Sequence, residues 1–174
     1  MTTYKLDPTH SEVTFKVKHM MITNVTGIFE NFDVAMQSST PDFTDATISF
    51  EASVDSINTK NEQRDSHLKS DDFFAAATFP KISFTSTEMK KLSDDAYQLT
   101  GTISIKDVTR PITFAVEYGG TMTDPYGNIK SGFTLNGKLS RKEFGLNWNA
   151  ITEAGGVVVG DEIKLMADIQ MVKS

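Results

Sequence analysis

Thr47-Ile48-Ser49-Phe50-Glu51-Ala52-Ser53-Val54 alternates without a break. Ile48, Phe50, Ala52 and Val54 fall on one side, and Thr47, Ser49, Glu51 and Ser53 on the other. In an extended chain successive side chains point to opposite faces, so this octet is a strand with one dry and one wet face. Strands of that kind belong to antiparallel sheets, because a parallel sheet is covered on both faces and reads as continuously apolar.

The same period recurs outward in both directions. Towards the N-terminus, Val13, Phe15 and Val17 oppose Thr14, Lys16 and Lys18, and Phe32, Val34 and Met36 form another such set. In that second set the parity turns Glu30 inward, which predicts a bulge near Phe29–Asn31 or a place for Glu30 at an open rim. Towards the C-terminus come Ile82 and Phe84; Leu99, Ile103 and Ile105; Ile112, Phe114, Val116 and Tyr118; and Phe133, Leu135 and Leu139. Ile163, Leu165, Ala167, Ile169 and Met171 close the series, and Asp124-Pro125-Tyr126-Gly127 is a turn between two of its members. The pattern predicts an all-β chain of about eight strands, with one or two short helices between strands. An extended antiparallel up-and-down barrel or a sandwich fits this pattern, and the barrel removes exposed edges from so many long strands. No linker, repeat or low-complexity tract divides the 174 residues, which read as a single domain over 1–174.

One segment breaks the pattern. Asn61–Phe84, NEQRDSHLKSDDFFAAATFPKISF, is polar at its start and aromatic later. Thr59 and Glu62 have capping-box spacing, so a helix is predicted to begin there, with Asp65 and Lys69 paired at i,i+4. Ser70-Asp71-Asp72 looks like a second start signal, and Pro80 precedes the next strand. An element outside the sheet, polar beside apolar, suggests the mouth of a container.

Composition removes several classes of function. The net charge is −6, and the densest basic cluster is Lys16, Lys18 and His19, too small for nucleic acid. Cysteine is absent, which excludes disulfides and thiolate chemistry. No run reaches the roughly 18 apolar residues of a membrane-spanning helix. The start of the chain shows no signal peptide, so the expectation is a cytoplasmic protein, or a periplasmic one if a leader was removed.

At about eight strands a barrel is either filled by its own side chains or leaves room for one ligand. Gly101, Gly137, Ala52 and Ala167 fall on the inward face. Either they let the barrel coil tightly, or they leave a lumen lined by Phe15, Phe50, Phe84, Phe114 and Phe133. Val17, Met20, Met21, Phe32, Ile103, Leu135 and Trp148 complete the candidate lining, with methionine suited to a flexible guest. Phe73 and Phe74 are candidates to gate the entrance.

The polar residues specify no enzyme. His10, His19 and His67 lack metal-ligand spacing, and no metal site is expected. Arg64, Asp65 and His67 invite an acid–base reading, but residues this close on one helix rarely form a triad, and no Gly-x-Ser-x-Gly elbow occurs. Asp65 is accounted for by Lys69, and Arg64 by an anion or a backbone carbonyl. Gly155-Gly156-Val-Val-Val-Gly160 lacks phosphate-loop spacing and reads as a loop before the last strand.

These residues resemble the YceI-like family, lipocalin-like polyisoprenoid-binding proteins of bacteria. His10–His19 is similar to the family's opening strand, and Arg64–Ser70, Asp72-Phe73-Phe74 and Phe79-Pro80 to its central signature. Gly101–Pro111, Arg141–Leu146 and Val159–Glu162 continue the likeness, which spans Tyr4 to about Val172. The resemblance implies a barrel holding a long isoprenoid or fatty chain, frequent homodimers and no established catalysis. The function expected is therefore to carry or sequester a long-chain amphiphilic lipid of isoprenoid quinone, polyprenyl or fatty amide type, with no other cofactor. A homodimer and transient membrane contact are further expectations; nucleic acid is not. His19, Arg64, Asp65 and His67 are the candidate head-group residues, with Arg110 and Arg141 behind them. Two other readings stand beside this one: a small hydrolase or isomerase using His67, Asp65 or His19, and a filled, stress-related interaction protein.

Overall fold

The computed structural model describes residues 1–149 and 158–174. The alternating segments form β1 (Thr2–Leu6), β2 (Glu12–His19), β3 (Thr23–Phe29), β4 (Phe32–Ser38), β5 (Thr47–Ser53) and β6 (Ile57–Asn58). After the helix α1 (Glu62–Lys69) come β7 (Lys81–Lys91), β8 (Ala96–Ile105), β9 (Val108–Thr123), β10 (Ile129–Ser140) and β11 (Val159–Lys173). All pairings are antiparallel, and β1 pairs back onto β11 to close the sheet.

The closed barrel has eight strands because three of them are broken in two. β1 and β2 lie along one edge of β11, opposite Met171–Lys173 and Val159–Asp168 respectively. The same break continues into the neighbours, dividing β3 from β4 and β5 from β6. Glu30 lies at the second break. It is exposed and accepts a hydrogen bond from Asn58 Nδ2 at 2.6 Å, so the parity conflict is resolved by interrupting the strand.

Asp7 stitches the first break. Its carboxylate accepts from Lys130 Nζ at 2.9 Å and from Gln170 Nε2 at 3.1 Å, and its amide donates to the Gln170 carbonyl at 2.8 Å. Ser11 Oγ donates to the Asp7 carbonyl and accepts from the Gln170 amide, so the backbone groups freed by the Pro8–His10 turn find partners. The hydrogen bond from Lys130 is the main cause that holds the Asp7 carboxyl far below the usual carboxylate range, ahead of smaller contributions from Thr9 and His10.

The floor of the barrel is aromatic. Phe43, held at φ 61° in the β4–β5 loop, packs edge-on against Tyr4, Tyr118 and Phe133 at centroid distances of 5.7, 5.6 and 5.4 Å. Asp45 fixes this loop by accepting from Ser38 Oγ at 2.6 Å and the Ser39 amide at 2.8 Å. Tyr97 Oη donates to the Asp42 carbonyl at 2.7 Å. The β2–β3, β6–β7, β8–β9 and β10–β11 connections all lie at the other end.

α1 differs from expectation in its details. Asn61, not Thr59, caps it by accepting from the Arg64 amide at 3.0 Å. Thr59 instead donates to Asp65 through both its amide and its hydroxyl, at 2.9 and 2.5 Å, so Asp65 is not committed to Lys69. The Ser70-Asp71-Asp72 signal opens a run of turns, not a second helix, because the Phe73 and Ala75 amides close back on the Ser70 carbonyl.

Asp7→Asn is expected to lower stability by about 2 kcal/mol at neutral pH, since a charged hydrogen-bond partner of Lys130 is lost. A depressed carboxyl contributes stability above its unfolded value of about 3.9 and loses it as pH falls through the folded value. Urea titrations at several pH values should therefore show the difference between wild type and variant shrinking below about pH 4.

Candidate functional site

The barrel is hollow. An apolar cavity of about 210 Å³ runs from the floor side, at Met36, Met89 and Met171, to Leu68, Phe73 and Phe74 beneath the α1 segment. Its size exceeds the roughly 150 Å³ apolar cavity known to stay dry and take up benzene. Eight of the predicted lining residues do line it: Phe15, Val17, Phe50, Phe84, Ile103, Phe114, Phe133 and Leu135.

The inward glycines explain how phenylalanines and an open lumen coexist. A Cβ on Gly137 would fall 2.6 Å from the Phe114 ring, and one on Gly27 only 2.2 Å from the Phe15 ring. Each pair sits directly cross-strand or one register step from it, with Phe15 opposite Gly27 in β2–β3. The rings lie flat in the space where side chains are missing, so aromatic bulk is laid against the wall instead of across the bore. Gly101 carries the Phe84 ring in the same way, at 2.6 Å, but its Cβ would also meet the Thr85 carbonyl oxygen at 2.2 Å. The glycines therefore accommodate rings at the wall, which agrees with the lumen lined by phenylalanines, the second of the two readings their positions allowed.

Four predicted lining residues lie elsewhere. Met20 and Met21 form the β2–β3 turn and are exposed, because the hairpin rises past the rim before their parity can matter. Phe32 starts β4 at the strand break and packs on Phe50 at 6.1 Å without reaching the cavity. Trp148 belongs to the cover: its ring stands 4.7 Å from His67 and 5.4 Å from Phe73. Phe73 and Phe74 both reach the cavity, on the side where an entrance gate was expected.

The predicted head-group residues do not face the lumen. His19 is exposed at the hairpin, past the inward-facing part of its strand. Arg64 is turned back on its own helix start, donating from Nε to Thr59 Oγ1 at 2.8 Å and from Nη2 to the Thr59 carbonyl at 2.7 Å. Asp65 accepts from the same threonine. His67 Nε2 is 2.8 Å from Asp72 Oδ2, so the imidazole is paired with Asp72 and not with Asp65. The His67–Asp65 pairing that the hydrolase or isomerase reading invoked is thus not formed. Arg110 is exposed and donates to the Glu143 carbonyl at 3.3 Å.

Arg141, a secondary candidate in the sequence, is the one charged residue among the described residues that lines the cavity. It is 2 % exposed, and its guanidinium donates to the carbonyls of Gly160, Leu146, Trp148 and Val159 at 2.6–3.1 Å. Desolvation pushes its pKa down and nearby Asp161 opposes this, yet among the described residues no carboxylate forms an ion pair with it. Arginine suits this role because its planar fork serves several carbonyls at once. It ties both described ends of the β10–β11 connection to the mouth. The Gly155–Gly160 reading falls partly on residues outside the described set. Among the described residues no group of three or more His, Asp or Glu could hold a metal ion.

Comparison with known proteins agrees with this geometry. The family described as YceI-like domain matches residues 4–171. A UPF0312 protein of Staphylococcus aureus strain USA300 is 37% identical over 171 residues, covering 98% of this chain and 97% of the relative. The crystal structure of the Campylobacter jejuni YCEI protein superposes with a TM-score of 0.77 at 31% identity, over 97% of this chain and 96% of that one. A polyisoprenoid binding domain from Saccharophagus degradans shares the fold, with a TM-score of 0.71 at 14% identity over 98% of each chain. A family match across almost the whole length, joined to a hollow eight-stranded barrel, places this chain in the YceI-like domain family.

Proposed function

We infer that the protein binds a long-chain amphiphilic lipid, its tail in the barrel lumen and its head towards Arg141 and the α1 segment, and so carries or sequesters it. Isoprenoid quinones, polyprenyl lipids and fatty amides are the chemical types that fit. The observation carrying this reading is the cavity itself: a continuous apolar bore, closed by aromatic rings at one end and capped by Leu68, Phe73 and Phe74 at the other. The polyisoprenoid-binding description of the S. degradans domain, which has the same fold, is in keeping with it.

Energetics decide where selectivity must arise. Each methylene removed from water contributes about 0.8 kcal/mol, so a tail of roughly 15 carbons gains about 12 kcal/mol gross. Ordering the tail offsets much of this. A lipid arriving from a bilayer is already dry, however, and gains little from the bore. The head must tip the balance. Arg141 presents a buried positive charge that, among the described residues, has no bonded carboxylate, which favours a head carrying a carbonyl, carboxylate or phosphate oxygen over a cationic one. Longer tails need more room than the resting cavity offers, and Met36, Met89 and Met171 can supply it by changing rotamer.

Organic extraction of protein produced in cells, followed by mass spectrometry, should release a long-chain lipid near one per barrel. An empty extract combined with no uptake of added lipid would contradict the reading. Gly137→Leu should displace the Phe114 ring into the bore and cut lipid occupancy severalfold, while costing less stability than Gly101→Leu, which meets backbone. Equal occupancy in wild type and Gly137→Leu would show that the bore is not the binding site.

A further inference from the structure

The outer wall beside the mouth sorts its charges by height. Lys138 on β10 stands directly opposite Lys164 on β11, and Lys164 directly opposite Lys16 on β2, with Lys18 two residues further up. Like charges facing one another across a sheet are unfavourable, and none of these four lysines forms an ion pair among the described residues. Four residues down the same strands, Glu117 faces Thr134, Thr134 faces Asp168, and Asp168 faces Glu12. The two rows are about 13 Å apart at 3.3 Å per residue. In a chain with net charge −6, unpaired lysines thus gather on this stretch of wall, with an acidic row below them.

The hairpin above this lysine row ends in three consecutive exposed apolar side chains. Met20, Met21 and Ile22 are 45, 58 and 77 % exposed. Met20 and Met21 hold φ values of 52° and 61°, the two left-handed positions of a tight hairpin turn that Asn-Gly normally fills. Local turn chemistry argues against methionine at both places, so the residues answer to something other than the turn. The far end of the barrel also exposes apolar groups, Leu92, Met122 and Tyr126, but there Lys91 is paired with Asp94, and Lys130 with Asp7 and Asp124.

We propose that the Met20-Met21-Ile22 tip and the Lys16, Lys18, Lys138 and Lys164 wall form a docking surface for an anionic lipid bilayer. The apolar tip enters the head-group region, and the lysines meet the lipid phosphates beside it. The acids of the other mouth segments, Glu62, Asp71, Asp72, Asp107 and Glu143, turn the barrel so that the β2–β3 side makes contact, and Glu162, above Lys164 on β11, sets the upper limit of the lysine row. The mouth is then brought against the membrane interface. This goes beyond occupation of the lumen, and it can fail independently of it.

The test is co-sedimentation at low salt with phosphatidylcholine vesicles containing about 30 mol% phosphatidylglycerol, against vesicles of phosphatidylcholine alone. The wild type should bind the anionic vesicles at least about tenfold better, an advantage that salt removes. Met20→Asn with Met21→Gly and Ile22→Thr suits the turn better, so this variant should melt no lower than wild type yet bind roughly tenfold less. Lys16→Ser with Lys138→Ser and Lys164→Ser should lose the preference for anionic vesicles. No binding by the wild type, or unchanged binding by both variants, overturns the proposal. So does a dimer in sedimentation velocity that the tip variant dissolves, since a second copy would then cover the tip. Organic extraction of the same samples separates the two readings: lipid in the bore without vesicle binding overturns the docking surface alone, and vesicle binding by a barrel that never holds lipid overturns the lumen reading alone.

Discussion

Closing eight strands fixes the width of the interior, and whether that width is empty depends on where three phenylalanine rings lie. Phe15, Phe84 and Phe114 all point inward by parity, and upright they would cross the bore. Each lies instead on a glycine of the neighbouring strand. A strand glycine is a local weakness, tolerated here because the ring of the adjacent strand fills its place and recovers apolar contact. The apolar area is buried either way; the glycines decide that it is buried in the wall. Floor, cover and polar mouth have meaning only because a bore is left between them.

The two ends of that bore are built by different physics. At the floor, Phe43 and its aromatic neighbours make a close-packed plug, fixed by a carboxylate, Asp45, that accepts several hydrogen bonds at once. At the mouth the cover is assembled from short-range elements: α1, the turns after it, Trp148, and the carbonyls gathered on Arg141. A buried guanidinium costs a great deal to leave unpaired, and four carbonyls answer that need without neutralising the charge. The floor is made to stay shut, and the mouth keeps a positive centre within reach of the lumen.

Period-two alternation made the barrel and most of its lining legible, because parity is set by backbone geometry and survives any detail of packing. It failed where a strand stops being a strand. Met20 and Met21 follow an inward series but sit in the turn beyond it, and Phe32 follows the β3–β4 break, where the bonds of Glu30 and Asn31 go to Ser53, Ser56 and Asn58, far on in the sequence. The polar residues were less legible. Arg64, Asp65 and His67 drew notice by clustering in sequence, yet each is consumed by a local partner, Thr59 or Asp72. Arg141 carried no local signal of burial, because its partners come from a connection that folds back over it. Gly27 was missed because its short strand shows no clean alternation, whereas its partner Phe15 was plain.

The central claim is that an aliphatic tail occupies the bore, and dependence of affinity on tail length tests it most directly. In isothermal titrations of one neutral head group carrying saturated tails from about eight carbons upward, affinity should rise roughly tenfold for every two methylenes, then level off when the bore is full. The plateau should come at a shorter tail in Gly137→Leu. Affinity that ignores tail length from the first member of the series would contradict the account.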